Sequence, residues 1–346
     1  MCVRLRWVRK SNFMGPCLSE TELISRFFNF NIPGQWPTQG IGDDCAIIQV
    51  GNRRLAVTTD TVASGTHFLP NADPYTVGKK SLAVNLSDLA AAGADPRCFF
   101  LALSLPKSDS SWLEAFSRGL YECAKEFACP LIGGDTTKTA KIGHSQAPFS
   151  ITITAIGEVE RGLTRQGAQI GDDIWVSGTV GDAYLALMLR TGQWAGACDS
   201  YLAAAMDTPV PRVALGQFLS HFATACADIS DGFLKDLGNI LVRSNVGAEV
   251  YVDHLAVSPQ LARRTQEERW QAQLAGGDDY ELVWTAQESA RQRIIDYAQK
   301  CQENGQPLLL TRVGKVVSSG LKLLNNDGGE IQNTFYGFDH FAQENV

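Results

Sequence analysis

The sequence predicts an α/β or α+β protein of two similar-sized domains, on three observations. Apolar residues recur with strand-type and helix-type periods in alternation through both halves of the chain. Charge and glycine concentrate at 158–171, where one half gives way to the other. At 346 residues the chain is long enough for two domains with a sizeable core. The boundaries expected are 14–160 and 161–346, behind a poorly structured extension at 1–13, with Met14 as an alternative start.

Residues 21–30 read as a short amphipathic helix, with Leu23, Ile24, Phe27 and Phe28 on its apolar side and Pro33-Gly34 breaking the chain after it. Two strands follow at 45–50 and 54–60, joined by a Gly51-Asn52 turn. The next stretch organises the rest. Over 81–92, Leu82, Leu86 and Leu89 recur at helical spacing among alanines, and Gly93 and Pro96 supply the stop. Asn85 and Asp88 lie three residues apart along one edge of that apolar stripe, where a packed helix meets a cleft.

A strand at 97–105 and a helix at 111–128 come next, then a buried strand at 130–132 running into Gly133-Gly134-Asp135-Thr136-Thr137. Residues 148–157 alternate with period two, so one face is packed. The second half reads as a strand at 173–177, helices to about 222, and a strand at 224–229 entering Ser230-Asp231-Gly232 and a helix at 233–243. A strand at 248–252, a helical stretch, Gly276-Gly277-Asp278-Asp279-Tyr280, a strand at 281–284, a helix at 287–302 and strands around Val313 and Leu321 complete it. Asp88 and Asp135 are 47 residues apart (135 − 88), and so are Asp231 and Asp278 (278 − 231), as a distant duplication would produce.

Composition excludes several classes. A net charge of −7 argues against a nucleic-acid binder, which needs a basic patch, but not against a phosphate-handling enzyme whose positive charge comes from bound cations. Nine cysteines without a Cys-x-x-Cys pair fit neither a disulfide framework nor a structural zinc site. No signal-peptide h-region and no membrane-spanning run is present, so the expected setting is the cytoplasm.

A carboxylate at Asp88 needs a partner, because desolvating an unpaired charge costs several kcal/mol or more. No basic residue lies one turn C-terminal to it, while the chain holds further Asp residues in Gly-, Ser- and Thr-rich settings. The candidate ligands are Asp43, Asp44, Asp60, Asp88, Asp135, Asp228 and Asp231, with hydroxyls from Thr58, Thr59, Thr136 and Ser230. These hard oxygen donors on short side chains suit Mg²⁺ rather than zinc, since the histidines show no ligand spacing. Such a cluster has a purpose beside a nucleoside triphosphate, where Mg²⁺ bridges carboxylates and phosphate oxygens. The glycines of Gly133-Gly134-Asp135 allow close backbone approach. Neither Gly78-Lys79-Lys80 nor Gly314-Lys315 makes a Walker A loop, so the nucleotide site is of another type.

The motifs taken together resemble the thiamine-monophosphate kinase family. They are Gly40-Ile-Gly-Asp-Asp-Cys-Ala, Thr58-Thr-Asp-Thr61, His67-Phe-Leu-Pro70, Ala83-Val-Asn-Leu-Ser-Asp-Leu, Ile132-Gly-Gly-Asp-Thr-Thr137, Leu163-Thr-Arg165, Asp228-Ile-Ser-Asp-Gly232 and Gly276-Gly-Asp-Asp-Tyr-Glu-Leu282. The resemblance implies the two-domain fold shared with aminoimidazole ribonucleotide synthetase and selenophosphate synthetase, as a homodimer whose N-terminal sheets join in a barrel. It implies ATP-dependent conversion of thiamine monophosphate to thiamine diphosphate. By the same resemblance Asp44, Thr58, Thr59, Asp60, Asp88, Asp135, Asp228 and Asp231 hold Mg²⁺, and Gly134, Asp135, Arg165 and Ser230 contact ATP. Asp88, Asp231 and Arg165 are the implied catalytic residues, and His67, Asp278 and Phe335 the implied contacts to thiamine monophosphate. Two positions depart from the family pattern: Asp278, where Glu is more frequent, and Phe335, where Trp often stands. The alternatives are another ATP-dependent enzyme of the superfamily with a different acceptor, and a nucleotide or thiamine diphosphate sensor without turnover. Cys17 lacks the Gly-rich company that marks a selenophosphate synthetase.

Overall fold

A computed structural model describes residues 18–29, 40–142, 145–146 and 149–341. The extension expected at 1–13 and the start at Met14 lie outside the described residues. In chain order the elements are α1 (Glu20–Phe27), β1 (Ala46–Val50), β2 (Arg53–Ala63), α2 (Pro74–Ala91), β3 (Asp95–Leu105), α3 (Ser110–Glu126), β4 (Leu131–Lys138), β5 (Lys141–Ile142), β6 (Ser145–Gln146) and β7 (Ser150–Val159). The second half holds β8 (Asp173–Ser177), α4 (Asp182–Arg190), α5 (Ser200–Asp207), α6 (Val213–Leu219), β9 (Ala225–Ile229), α7 (Phe233–Ser244), β10 (Gly247–Tyr251), α8 (Gln266–Trp270), β11 (Glu281–Ala286), α9 (Arg291–Glu303), β12 (Leu310–Val317), β13 (Leu321–Leu324) and β14 (Glu330–Ile331).

The first half builds a five-stranded sheet in the order β1-β2-β7-β3-β4, antiparallel except for the parallel β3–β4 pair. The second builds a seven-stranded mixed sheet in the order β14-β13-β10-β12-β8-β11-β9. The unlike strand orders remove the duplication suggested by the repeated spacing. Its four Asp residues also sit in unlike places: Asp88 inside α2, Asp135 inside β4, Asp231 in the turn before α7 and Asp278 in the loop before β11.

α2 is the centre of the molecule. It starts at Pro74, seven residues before the reading from the leucines, because Asp73 caps it by accepting from the Tyr75 N–H (3.0 Å) and proline suits the first turn. Val77, Leu82, Leu86 and Leu89 are all buried, and so are Ser81, Asn85 and Ser87, so the helix has no wet face over that stretch. It packs on β2, β7 and α3 on the first-half side and on α6, β9 and β11 of the second half. One hydrophobic cluster accordingly runs from Ile151 and Ile153 through Leu86 and Leu89 to Leu215 and Trp284. Gly78 and Gly119 let α2 and α3 touch closely, since a Cβ at Gly78 would lie 2.1 Å from the Phe116 carbonyl oxygen.

The outer face of the first sheet is left uncovered by the described residues. Along β7 every second residue is buried, and the alternate set, with Thr152 and Thr154, faces away from α2. β4, expected to be buried, is exposed at all eight residues, including Leu131 and Ile132. No helix among the described residues is long and apolar enough to cross a membrane.

Candidate active site

Strand periodicity decides which side chains of β2 meet α2. Thr58 and Asp60 point toward the helix; Thr59 and Thr61 point outward and share hydroxyl hydrogen bonds with Thr154 (2.9 Å) and Thr152 (2.8 Å). α2 contributes Asp88, which accepts from the Thr58 hydroxyl, and Ser87, which donates to Asp228 at the end of β9 (2.7 Å). The turn before β1 supplies Asp43 and Asp44. Arg165, from the segment joining the two sheets, donates from its backbone to Asp43 (3.0 Å) and from Nη2 to Asp44 (2.6 Å).

These placements bring carboxylate oxygens of Asp44, Asp88 and Asp228 within 4.8 Å of one another. At that distance two unit charges repel by about 3.5 kcal/mol at an effective dielectric constant of about 20. Burial first, and then the neighbouring carboxylates, push Asp88 and Asp228 well above the usual carboxylate range. Burial raises Asp44 despite the Arg165 guanidinium beside it, and raises Asp60, which shares a hydrogen bond with Asp88. Four crowded carboxylates with one guanidinium among them, and an Arg165 Nε buried without a hydrogen-bond partner among the described residues, are a donor set for divalent cations and an anion. The hard oxygen ligands fit Mg²⁺. Cys45 stays out of the set, its thiol donating to the Asp88 carbonyl (3.4 Å) and pushed well up by burial.

The cluster opens into a cleft of about 1390 Å³, whose wall includes Asp44, Thr58, Asp60, Asp88, Arg165 and Asp228. That exceeds the roughly 300–1,000 Å³ of a pocket for one small ligand, so two substrates fit. Ser230 and Asp231 line it too, in a turn held from below by Asp236, whose Oδ2 accepts from the backbone N–H groups of Ser230, Asp231 and Gly232 at 3.1, 3.0 and 3.2 Å. Burial pushes the Asp236 carboxyl up to about 8. Lys235 pairs with Asp231 (2.7 Å).

Farther along the wall, His67 accepts from the Ala63 N–H (3.1 Å) and packs on His340 with ring centres 5.2 Å apart. Burial, then the neighbouring His340, lowers it to about 4. Asp278 also reaches the cleft, with one oxygen held by Lys80 at 2.5 Å.

Three sets of expected residues are placed otherwise. Gly134 and Asp135 lie on β4, three strands from β2, which puts them roughly 14 Å away across the sheet. The missing Cβ of Gly134 makes room for the Leu101 carbonyl of β3, which a Cβ would meet at 1.8 Å, rather than for a ligand within this chain. Thr59 reaches the cleft rim, but its hydroxyl belongs to the outer face. Phe335 packs against the hydrophobic core of the second half, and the tail residues at the cleft are Tyr336, Gly337, Phe338 and His340. Asn85, placed beside the cleft by the helical wheel, is fully buried and accepts from the Asp60 N–H (3.2 Å), fixing β2 against α2. Asp236, Ser87 and Tyr336 were not read from the sequence. Only Asp236 had a local signal, an acid in the first turn of a helix.

Residues 42–159 match the model of the AIR synthase related protein N-terminal domain, and 169–323 match that of the C-terminal domain. The chain is 41% identical to thiamine-monophosphate kinase of Escherichia coli (strain K12) over 335 residues, covering 93% of this chain and 98% of that one. Against the Haemophilus influenzae enzyme of the same name it is 40% identical over 336 residues, covering 94% and 99%. The crystal structure of thiamine-monophosphate kinase from Stenotrophomonas maltophilia K279a superposes with a TM-score of 0.72 at 41% identity, over 84% of this chain and 91% of that one. AaThiL complexed with AMPPCP and TMP superposes with a TM-score of 0.73 at 29% identity, over 87% and 92%. With both domain models matched and these relatives covered almost end to end, the chain belongs to the thiamine-monophosphate kinase family of AIR synthase-related proteins.

Proposed function

We propose that the chain transfers the γ-phosphoryl group of ATP directly to the phosphate of thiamine monophosphate, giving ADP and thiamine diphosphate. The observation that carries this reading is the convergence of Asp44, Asp88 and Asp228 in a cleft with room for two substrates. Asp44, Asp88 and Asp228, joined by Asp60, Asp231 and Thr58, would hold Mg²⁺. Bound there, the cations supply the positive charge that offsets repulsion between donor and acceptor phosphates.

The chain's own residues do the rest by positioning. Arg165 is clamped by Asp44 and keeps Nε free for a phosphate oxygen. Asp236 fixes the Ser230–Gly232 backbone, so the Ser230 hydroxyl meets the nucleotide without a loop having to order. His67 and Asp278, with Tyr336 and Phe338 of the tail, receive the acceptor. An acceptor phosphate is already ionised at neutral pH, so no strong general base is needed, and placing the two reacting groups in line is the main task. ADP release should depend on thiamine monophosphate, with thiamine and thiamine diphosphate inactive as acceptors. Retention of configuration at a chiral γ-phosphate would contradict direct transfer.

The working unit in this reading is a homodimer in the cytoplasm. Its support is the outer face of the first sheet, uncovered by the described residues, the exposed edge strand β4 and the seven free cysteines among the described residues. Joining two such sheets in a barrel would bring Gly134 and Asp135 of one copy to the carboxylate cluster of the other. Mixing inactive D88N and D135N subunits would then restore about a quarter of wild-type activity through random heterodimers. No recovery on mixing would place Asp135 with its own subunit or outside the site.

A further inference from the structure

Lys80 belongs to none of the family motifs above, yet it is buried among the core residues. Its side chain is 4% exposed, on the first half of α2. Lysine is almost never buried so completely without a fixed partner. Nζ donates to the Met206 carbonyl at the end of α5 (2.9 Å) and to Asp278 Oδ2 (2.5 Å). One ammonium thus joins α2, α5 and the Gly276–Tyr280 loop across the line where the two halves meet.

The loop it holds is pinned from the other side as well. The Asp278 N–H donates to the Ser230 carbonyl and the Tyr280 N–H to the Ile229 carbonyl, both at 2.8 Å. Gly277 is packed so tightly that a Cβ would meet the Ser230 oxygen at 2.3 Å. Asp278 itself has φ +73 and Tyr280 φ +55, a left-handed backbone that is costly for non-glycine residues and persists only where the surroundings impose it. The backbone therefore cannot aim the Asp278 side chain by relaxing, and Lys80 is the cation that fixes one carboxylate oxygen. The side chain remains 31% exposed to the cleft. Burial raises the Asp278 carboxyl and Lys80 opposes that rise.

We propose that Lys80 is a positioning residue for the acceptor: by gripping Asp278 Oδ2 it turns Oδ1 toward the cleft as a fixed acceptor for an N–H of thiamine monophosphate. This rests on the reading of Asp278 as an acceptor contact. Since Lys80 and Asp278 together carry no net charge, the recognition is a directed, charge-assisted hydrogen bond more than attraction to the thiazolium cation.

The test is a double-mutant cycle read as separate KM values for the two substrates. D278N should raise the KM for thiamine monophosphate about 10- to 100-fold and leave the KM for ATP within about twofold. K80M should raise the same KM by a similar factor, with kcat at saturating acceptor nearly kept. K80M/D278N should match D278N rather than multiply the two effects, because Lys80 acts through Asp278. If K80M alone is too unstable to purify, with the Asp278 carboxylate left unpaired, D278N and the double variant still decide the matter: equal KM values support the proposal and a further rise overturns it. A K80M enzyme with normal acceptor KM also overturns it, as does one that loses kcat and both KM values in proportion to its stability. If D278N leaves the acceptor KM unchanged in an active kinase, Asp278 is not an acceptor contact. If neither the wild type nor any variant uses thiamine monophosphate, it is the proposed reaction that fails.

Discussion

Replacing Asp88 by Asn should make the metal-free protein more stable and the enzyme nearly inactive. Oxygens of Asp44, Asp88 and Asp228 lie within 4.8 Å of one another. Each ionised pair at that distance costs about 3.5 kcal/mol at an effective dielectric constant of about 20, so Asp88 takes part in about 7 kcal/mol of repulsion. Proton uptake caps the penalty, because keeping a carboxyl of ordinary pKa near 3.9 protonated at about pH 7.5 costs about 5 kcal/mol. Arg165 beside Asp44 and the hydrogen bond between Asp60 and Asp88 already relieve part of it. Asn needs no proton and its Oδ1 can keep the Thr58 hydrogen bond, so a gain of roughly 1–4 kcal/mol is expected. Most substitutions lose about 1 kcal/mol, so the sign alone is diagnostic. Calorimetric melts with chelator and with Mg²⁺ read it, at about 2–4 °C in Tm per kcal/mol for domains of 150–250 residues. Wild type should gain stability from Mg²⁺; D88N should start higher, gain little, and lose about 10²–10³-fold in kcat. A lower metal-free Tm with an unchanged Mg²⁺ shift would refute the placement of Asp88 in the cation site.

The same carboxylates set a pH dependence. Asp44, Asp60, Asp88, Asp228 and Asp236 are raised in the folded protein, Asp236 to about 8, so the folded chain holds more protons than the unfolded chain above about pH 4 and metal-free stability falls as pH rises from there toward 8. His67, lowered to about 4, acts oppositely: its contribution is lost as pH falls from about 6.5 to 4. Melts across pH 5–8 should show a net decline that Mg²⁺ flattens, and metal-free stability rising over that range would contradict it. D236A should cost about 2–4 kcal/mol in denaturant unfolding, because three backbone N–H groups lose their acceptor, whereas D236N should keep most of the stability. R165M should raise the KM for ATP about 10- to 100-fold with the acceptor KM little changed, and the reverse pattern would move Arg165 to the acceptor end.

Much of the site was legible because its residues sit in local patterns. Asp44 follows a Gly-rich turn, Asp88 interrupts an alanine-rich helix, and Asp228 to Gly232 ends an apolar strand run, and each pattern fixes its element from neighbours a few residues away. Asp135 had an equally clear motif, but a motif fixes local conformation and not the distance to other motifs. Strand order set that distance, leaving β4 on an edge three strands from β2. Thr59 fell to the period of two, which turns adjacent residues of β2 to opposite faces. The path of the tail packs Phe335 against the second core and gives the cleft to its neighbours.

By itself the sequence determined the two-part α/β architecture, the chemistry of hard oxygen ligands and the family, because periodicity and residue type are properties of short stretches. Tertiary structure alone decided that Asp44, Asp88 and Asp228 converge, that Lys80 reaches Asp278 from 198 residues away in the chain, and that β4 is left exposed at the sheet edge. Those outcomes depend on how α2 packs between two sheets, and contacts between segments distant in sequence are fixed by the burial of whole faces, which no single stretch encodes.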